Sequence, residues 1–126
     1  MPGEHNLETL LRTMRPAIAG DEFVFSTGPR IEGDPVCAFR EAEGWTLVLR
    51  RADAERLGLP FTYPCRQITL TVHSSLEAVG LLAAVSVALA ARGISVNVVS
   101  GYYHDHLFVP IDRVEEALAA LSELSS

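Results

Sequence analysis

The order of apolar patterns along this chain predicts an α+β fold, and three observations carry the prediction. Residues Arg66 to Val72 alternate at period two, which places Ile68, Leu70 and Val72 on one face of a strand. A nearly continuous apolar run from Leu76 to Ala91 follows, too long for an ordinary strand and rich in alanine, so it reads as a buried helix. Two short apolar segments, Ile94 to Val99 and Leu107 to Val109, then flank a polar turn and lead into a last amphipathic segment from Asp112 to Leu124.

The remaining elements follow in chain order. Leu7, Leu10, Leu11 and Met14 recur at helical spacing until Pro16 ends the pattern, giving a short first helix. Phe23 to Phe25 form a strand, closed by Ser26-Thr27-Gly28-Pro29. Val36 to Arg40 and Trp45 to Leu49 face each other across the acidic turn Glu41-Ala42-Glu43-Gly44 and form a hairpin. Arg51 to Leu57 form a short helix stopped by Gly58, and Pro60 and Pro64 mark the connection to the second half. Asp112 is suited to cap the last helix. The second half therefore reads strand, helix, strand, strand, helix, most of a split β-α-β unit of the ferredoxin-like class. Phe23 to Gly28 and Val96 to Gly101 are both apolar strands ending in a hydroxyl residue and glycine, a faint sign of an internal repeat that chance explains as well.

Composition narrows the function classes. With 126 residues the chain fits one domain, or two very small ones sharing a sheet. It is 48% hydrophobic and 21% charged, the balance of a chain with a packed core. A net charge of -6 argues against nucleic acid as partner, since phosphate backbones need a clustered basic face. The Leu76–Ala91 run carries Glu77, Gly80 and Ser86 and is short for a bilayer, so no membrane partner is expected. Cys37 and Cys65 do not make a disulfide framework and no secretory signal pattern opens the chain, so a cytoplasmic protein is expected. No nucleophile elbow, Gly-rich phosphate loop or Cys-x-x-Cys occurs, and neither an enzymatic activity nor a cofactor is expected.

Chemistry concentrates in two places. In Val72-His73-Ser74-Ser75-Leu76-Glu77 a strand runs through two hydroxyls into the helical segment, and Ser74 and Glu77 have capping-box spacing. Such a helix start offers free amides and a positive dipole end to a carboxylate or phosphate, although the same spacing also serves a cap that binds nothing. Downstream, Asn97 to His106 gather polar and aromatic groups around a turn. His104 and His106, with His73 as a third nitrogen, would suit zinc, whereas a polar turn in which Asp105 bonds nearby amides fits the same residues. Cys37, Cys65, Phe39 and Trp45 are read as core residues.

Taken together, His73-Ser74-Ser75-Leu76-Glu77-Ala78-Val79-Gly80, Gly93-Ile94-Ser95-Val96-Asn97-Val98 and Gly101-Tyr102-Tyr103-His104-Asp105-His106-Leu107-Phe108-Val109-Pro110 resemble the small stand-alone ACT-domain proteins. Phe39 to Leu47 is similar to the N-terminal half of that family. The resemblance implies two ferredoxin-like ACT subdomains in tandem, residues 1–62 and 63–126, with antiparallel sheets and helices on one face, assembled into a homodimer. It further implies a regulatory protein that binds a free amino acid or related small carboxylate and responds to an unidentified protein partner. The expected pocket lies around the loop His73 to Leu76. Amides at Leu76 and Glu77 would hold the α-carboxylate with Ser74 or Ser75, while Asp105, Glu43 or Asn97 would receive the ammonium. Tyr102 and Val98 would form the side-chain walls. The chain has His73-Ser74-Ser75 where regulatory ACT domains often carry Asp-x-Pro-Gly. A structural module without a ligand is the alternative, because the apolar helix with Ala83, Ala84, Ala88, Ala90 and Ala91 invites another helix against it.

Overall fold

The computed structural model describes residues 3, 4 and 6–126. Its described residues form helices α1 (Leu7–Thr13), α2 (Arg51–Leu57), α3 (Leu81–Ala90) and α4 (Val114–Ser125) and strands β1 (Pro16–Gly28), β2 (Cys37–Glu41), β3 (Gly44–Arg50), β4 (Thr62–Leu70), β5 (Asn97–Ser100) and β6 (Asp105–Pro110). All six strands join one antiparallel sheet in the order β2-β3-β1-β4-β6-β5.

That order contains the ferredoxin-like arrangement twice. In the first half, β4-β1-β3-β2 repeats the spatial sequence last, first, third, second strand. In the second half, β1-β4-β6-β5 does the same with β1 standing in the last place. Each half therefore borrows its neighbour's first strand, and the two expected sheets merge into one. This explains the unexpected length of β1, which begins at Pro16 rather than near Phe23: Pro16 to Ile18 pair with Leu70 to Ile68, while Phe23 to Gly28 pair with β3. Equivalence by position couples β1 with β4 and β2 with β5, so the likeness of Phe23–Gly28 to Val96–Gly101 joins strands that are not counterparts.

Strand alternation sorts the core. Ile68, Leu70, Leu107 and Val109 face α1, α3 and α4 in a cluster with Leu10, Met14, Val85, Leu89, Ala117 and Leu121. Val24, Leu47 and Leu49 lie on the same side and pack with Ala54 of α2. On the opposite side Phe23, Val48, Cys65 and Phe108 are buried together, with edge-to-face rings at 6.1 Å for Phe23 and Phe108 and 5.9 Å for Phe25 and Phe108. Twist curls the sheet around this cluster. Val36 just before edge strand β2, Cys37 at its start and Val99 of the other edge strand line a common cavity of about 80 Å³ with His106 and Phe108. Burial pushes the Cys65 thiol up to about 12.

Element boundaries follow local chemistry with two exceptions in this part of the chain, Asp112 and Pro64. Asn6 caps α1, its Oδ1 accepting from the Thr9 amide at 2.9 Å, and Gly58 closes α2 in the left-handed region at φ 68°. Asp53, in the first turn of α2, is held below the usual carboxylate range by hydrogen bonds from Arg56 and Arg50. Asp112 does not cap α4, which starts at Val114 after Arg113; Arg113 instead clamps Glu116 and the Arg92 carbonyl. Pro64 falls inside β4 rather than in a connection, accommodated where the pairing with β1 shifts register beside Tyr63 at φ 60°.

Candidate functional site

The segment after β4 does not continue into a helix. Residues 71–80 are irregular and α3 begins only at Leu81, behind Gly80 at φ 102° and ψ -15°. Three interactions hold the segment off a helical path. The Glu4 amide donates to the His73 carbonyl at 2.8 Å, and the Ser75 amide donates to the Glu4 carbonyl at 2.6 Å. Ser75 Oγ accepts from the Glu77 amide at 3.0 Å, a local serine turn that competes with helix formation. Leu76 and Val79, expected inside a buried helix, are 68% and 82% exposed. The Ser74–Glu77 capping box is therefore absent, and the amides of Leu76 and Glu77 are not a helix N-terminus.

A cleft of about 150 Å³ opens instead at the true start of α3, lined by Ser74, Ser75, Leu76, Ala78, Gly80, Leu81, Leu82, Ala83, Ser100 and Asp105. Gly80 supplies no side-chain cap, so the first-turn amides of α3 keep their donors for whatever occupies the cleft. The dipole of this ten-residue helix adds positive potential at the same end. Opposite lies Asp105, the first residue of β6, paired with Leu70 on one side and Ser100 on the other. Leu70 faces the helices, so Asp105 does too, and it is 6% exposed. Ser74 Oγ donates to Asp105 Oδ2 at 2.9 Å. Oδ1 takes no hydrogen bond from any described residue, and among the described residues no buried side-chain oxygen or nitrogen is left without a partner, so Oδ1 is not sealed from solvent, and Asp105 lines the cleft.

Of the residues the sequence singled out, Ser74, Ser75, Leu76 and Asp105 are brought together here. The others are not. Asn97 pairs with Phe108, and alternation turns it to the helix-free face, while Val98 turns inward and packs in the main core. Glu43 sits in the β2–β3 turn, at the Gly28 end of β1, whereas the cleft lies near the Pro16 end. The two ends are about 40 Å apart along a 13-residue strand. Tyr102 is 60% exposed and sits with His73 and Tyr103, the His73 ring centroid lying 6.4 Å from Tyr102 and 5.3 Å from Tyr103. Glu77 points to solvent outside the cleft. Ala78, Gly80, Leu81, Leu82, Ala83 and Ser100 were missed; the glycine ahead of an apolar stretch was the signal for Gly80 to Ala83.

The histidines do not assemble. His106 faces away from Asp105, where its Nδ1 meets Thr69 Oγ1 at 2.9 Å and Gln67 Nε2 at 3.1 Å. Burial lowers its pKa, as does His104, against an opposing pull from Asp105. His104 stands 6.5 Å away ring to ring, and His73 lies with the tyrosines. Among the described residues no group of three or more His, Cys, Asp or Glu could hold a metal ion. No helix among them is long and apolar enough to cross a membrane.

Comparison with known proteins places this geometry in context. Residues 2–66 and residues 62–123 each match an ACT-domain family model. A solved structure from Vibrio cholerae, of a protein of unknown function described as a possible transport protein, is 45% identical, with a TM-score of 0.85, covering 95% of this chain and 96% of that one. A protein from Agrobacterium tumefaciens is 16% identical at a TM-score of 0.73, covering 89% of each chain. The regulatory subunit of aspartate kinase from Thermus thermophilus, in its ligand-free form, shares the fold at 10% identity and a TM-score of 0.69, covering 90% of this chain and 97% of that one. No curated protein matches the sequence.

Proposed function

From the premise that this chain belongs to the ACT-domain family, we propose that it is a regulatory protein whose ligand is a free amino acid, bound in the cleft at the start of α3. The observation that carries the reading is the pairing of opposite requirements across one cleft. Unpaired first-turn amides on one wall suit a carboxylate, and the cleft-side carboxylate oxygen of the mostly buried Asp105 on the other suits an ammonium. In this reading the amides of Leu81 to Ala83 replace those of Leu76 and Glu77 as the α-carboxylate receptor. Ser74 orients Asp105, and Ser75 and Ser100 add hydroxyls at the rim. The aspartate kinase subunit of similar fold is named for regulation, which supports a regulatory role over a catalytic one.

A thermal-shift screen of untagged protein against the common amino acids and their 2-oxo analogues tests the reading. Ligand at a hundredfold excess over its dissociation constant stabilises the fold by about 2.7 kcal/mol, a shift on the order of 10 °C. A selective shift with one or more amino acids, absent for the matching 2-oxo acids, supports it. No shift with any amino acid overturns it.

Assembly into a homodimer belongs to the same proposal. The outer face of α3 remains bare after α1 and α4 have packed, with Val87 70% exposed between exposed Ala83 and Ala90. A second copy covering this face accounts for the apolar surface. Light scattering that returns a monomer at micromolar concentration would remove the dimer. Both thiols are free, which suits the reducing cytoplasm.

A further inference from the structure

Resting on the homodimer proposed above, we infer that the second copy docks on more than the outer face of α3. The interface extends over the loop before that helix and over the β5–β6 turn, with Tyr102 and Tyr103 as its anchors. The first argument is charge. The chain carries 10 basic and 16 acidic residues, yet from Thr71 to His104 only Glu77 and Arg92 belong to either class. Depletion of charge together with enrichment in tyrosine marks the centre of a protein interface. The same depletion points to the occupant. A strongly charged partner would find almost nothing here to pair with, whereas a second copy brings a face with equally few charges. Glu77 and Arg92 cancel, so the net charge of -6 that repels one copy from another lies outside this segment.

The second argument is area. Leu76, Val79, Val87, Tyr102 and Tyr103 are each between 60% and 82% exposed. They adjoin one another: His73 joins the loop to both tyrosines through ring contacts, and Leu76 and Ala83 share a cleft wall with Ser100. Val87 follows Ala83 by one turn on α3. Together they expose on the order of 600 Å², the upper end of what a monomer carries in one patch and near the roughly 800 Å² that each partner buries in a stable complex. The third argument is rigidity. The Gly101 amide donates to the His104 carbonyl at 2.8 Å and closes the turn, and the two tyrosine rings meet edge to face at 4.9 Å. Rings already held in place lose little freedom on docking, which suits them as anchors.

Sedimentation equilibrium of the intact, untagged chain and of four variants tests the inference. Val79→Lys alters the loop, the double variant Tyr102→Ser/Tyr103→Ser the turn, and Val87→Lys the outer face of α3. Phe39→Ser removes an exposed ring from β2, the edge strand at the other end of the sheet order. The expected result is a dimer at micromolar concentration whose dissociation constant rises at least tenfold with Val79→Lys and with the tyrosine double variant, and not with Phe39→Ser. Val79 is 82% exposed, so its replacement keeps the test open if the double variant does not fold. Weakening by Val79→Lys alone overturns the anchoring role of the tyrosines. A dimer that neither of these two variants weakens overturns the inference, and one that Val87→Lys does weaken leaves the α3-face dimer standing. Weakening by Phe39→Ser alone moves the interface to β2 and overturns both. If the unaltered chain is a monomer, the inference falls together with the homodimer, and the patch belongs to a different protein.

Discussion

Substituting Gly80 by alanine has an effect whose sign depends on where α3 begins. Were the helix to start at Leu76, as the apolar run suggests, Gly80 would sit in its interior. Alanine there would then stabilise the protein by about 0.8–1.0 kcal/mol. In the structure Gly80 stands just outside the helix at φ 102°, in the left-handed region. An L-residue forced into that region loses about 1–2 kcal/mol. The new Cβ would also come within 3.0 Å of Leu7 Cδ2, so the side chain of α1 that rests on this turn must shift. The expected outcome is a loss of about 1–2 kcal/mol. With a urea slope of about 1.5 kcal/mol/M, the unfolding midpoint falls by roughly 0.7–1.3 M. Equilibrium urea unfolding followed by far-UV circular dichroism measures it. A midpoint that rises, or is unchanged, would refute the placement of Gly80 outside the helix and with it the cleft built on the first-turn amides of α3.

Further outcomes follow from the same structure. His106 has its pKa lowered below 6.5, chiefly by burial. The unfolded chain therefore takes up a proton that the folded chain refuses, and stability falls as pH drops through 6.5 toward the folded value. Replacing His106 by Asn should reduce the loss of stability between neutral and mildly acid pH, as read from unfolding midpoints; an unchanged pH slope would show that His106 does not contribute to it. The Cys65 thiol, raised to about 12, should resist iodoacetamide at mildly alkaline pH in the native protein while half-buried Cys37 reacts first, as peptide mass spectrometry would show. Equal labelling of both would mean that the Cys65 site opens readily. A Cβ on Gly3 would lie 2.7 Å from the His73 carbonyl and from Ser74 backbone, so Gly3→Ala should lift the N-terminal segment off the cleft loop. Faster hydrogen exchange at the Ser75 amide, whose acceptor is the Glu4 carbonyl, is the expected sign, and unaltered exchange would show that the contact does not hold the loop.

Most of the fold was legible because its elements are specified locally. The periodicity of Leu7 to Met14, the alternation of Ile68 and Leu70, the acidic hairpin turn before Trp45 and the Gly58 stop each reappear as an element near its expected place. The failures have a common form. Ser74 and Glu77 satisfy a local capping rule, yet the loop is held by backbone pairing with Glu4, a contact some seventy residues away in sequence. Asn97 lies within the right cluster of letters, but register with Phe108 turns it to the wrong face. Glu43 was drawn in by charge alone.

By itself the sequence determined the element types, the family pattern and the chemical inventory of the cleft: serines, one aspartate and an apolar helix. These depend on neighbours within a turn or a strand, where spacing and propensity decide. Only the tertiary structure decided that two small sheets share β1 and β4, that α3 starts behind Gly80, and that Asp105 rather than Glu43 or Asn97 lines the cleft at its start. Those outcomes hang on strand register and on contacts between distant segments. A shift of one residue in register would turn Asp105 to the other face, and nothing local to Asp105 prevents it.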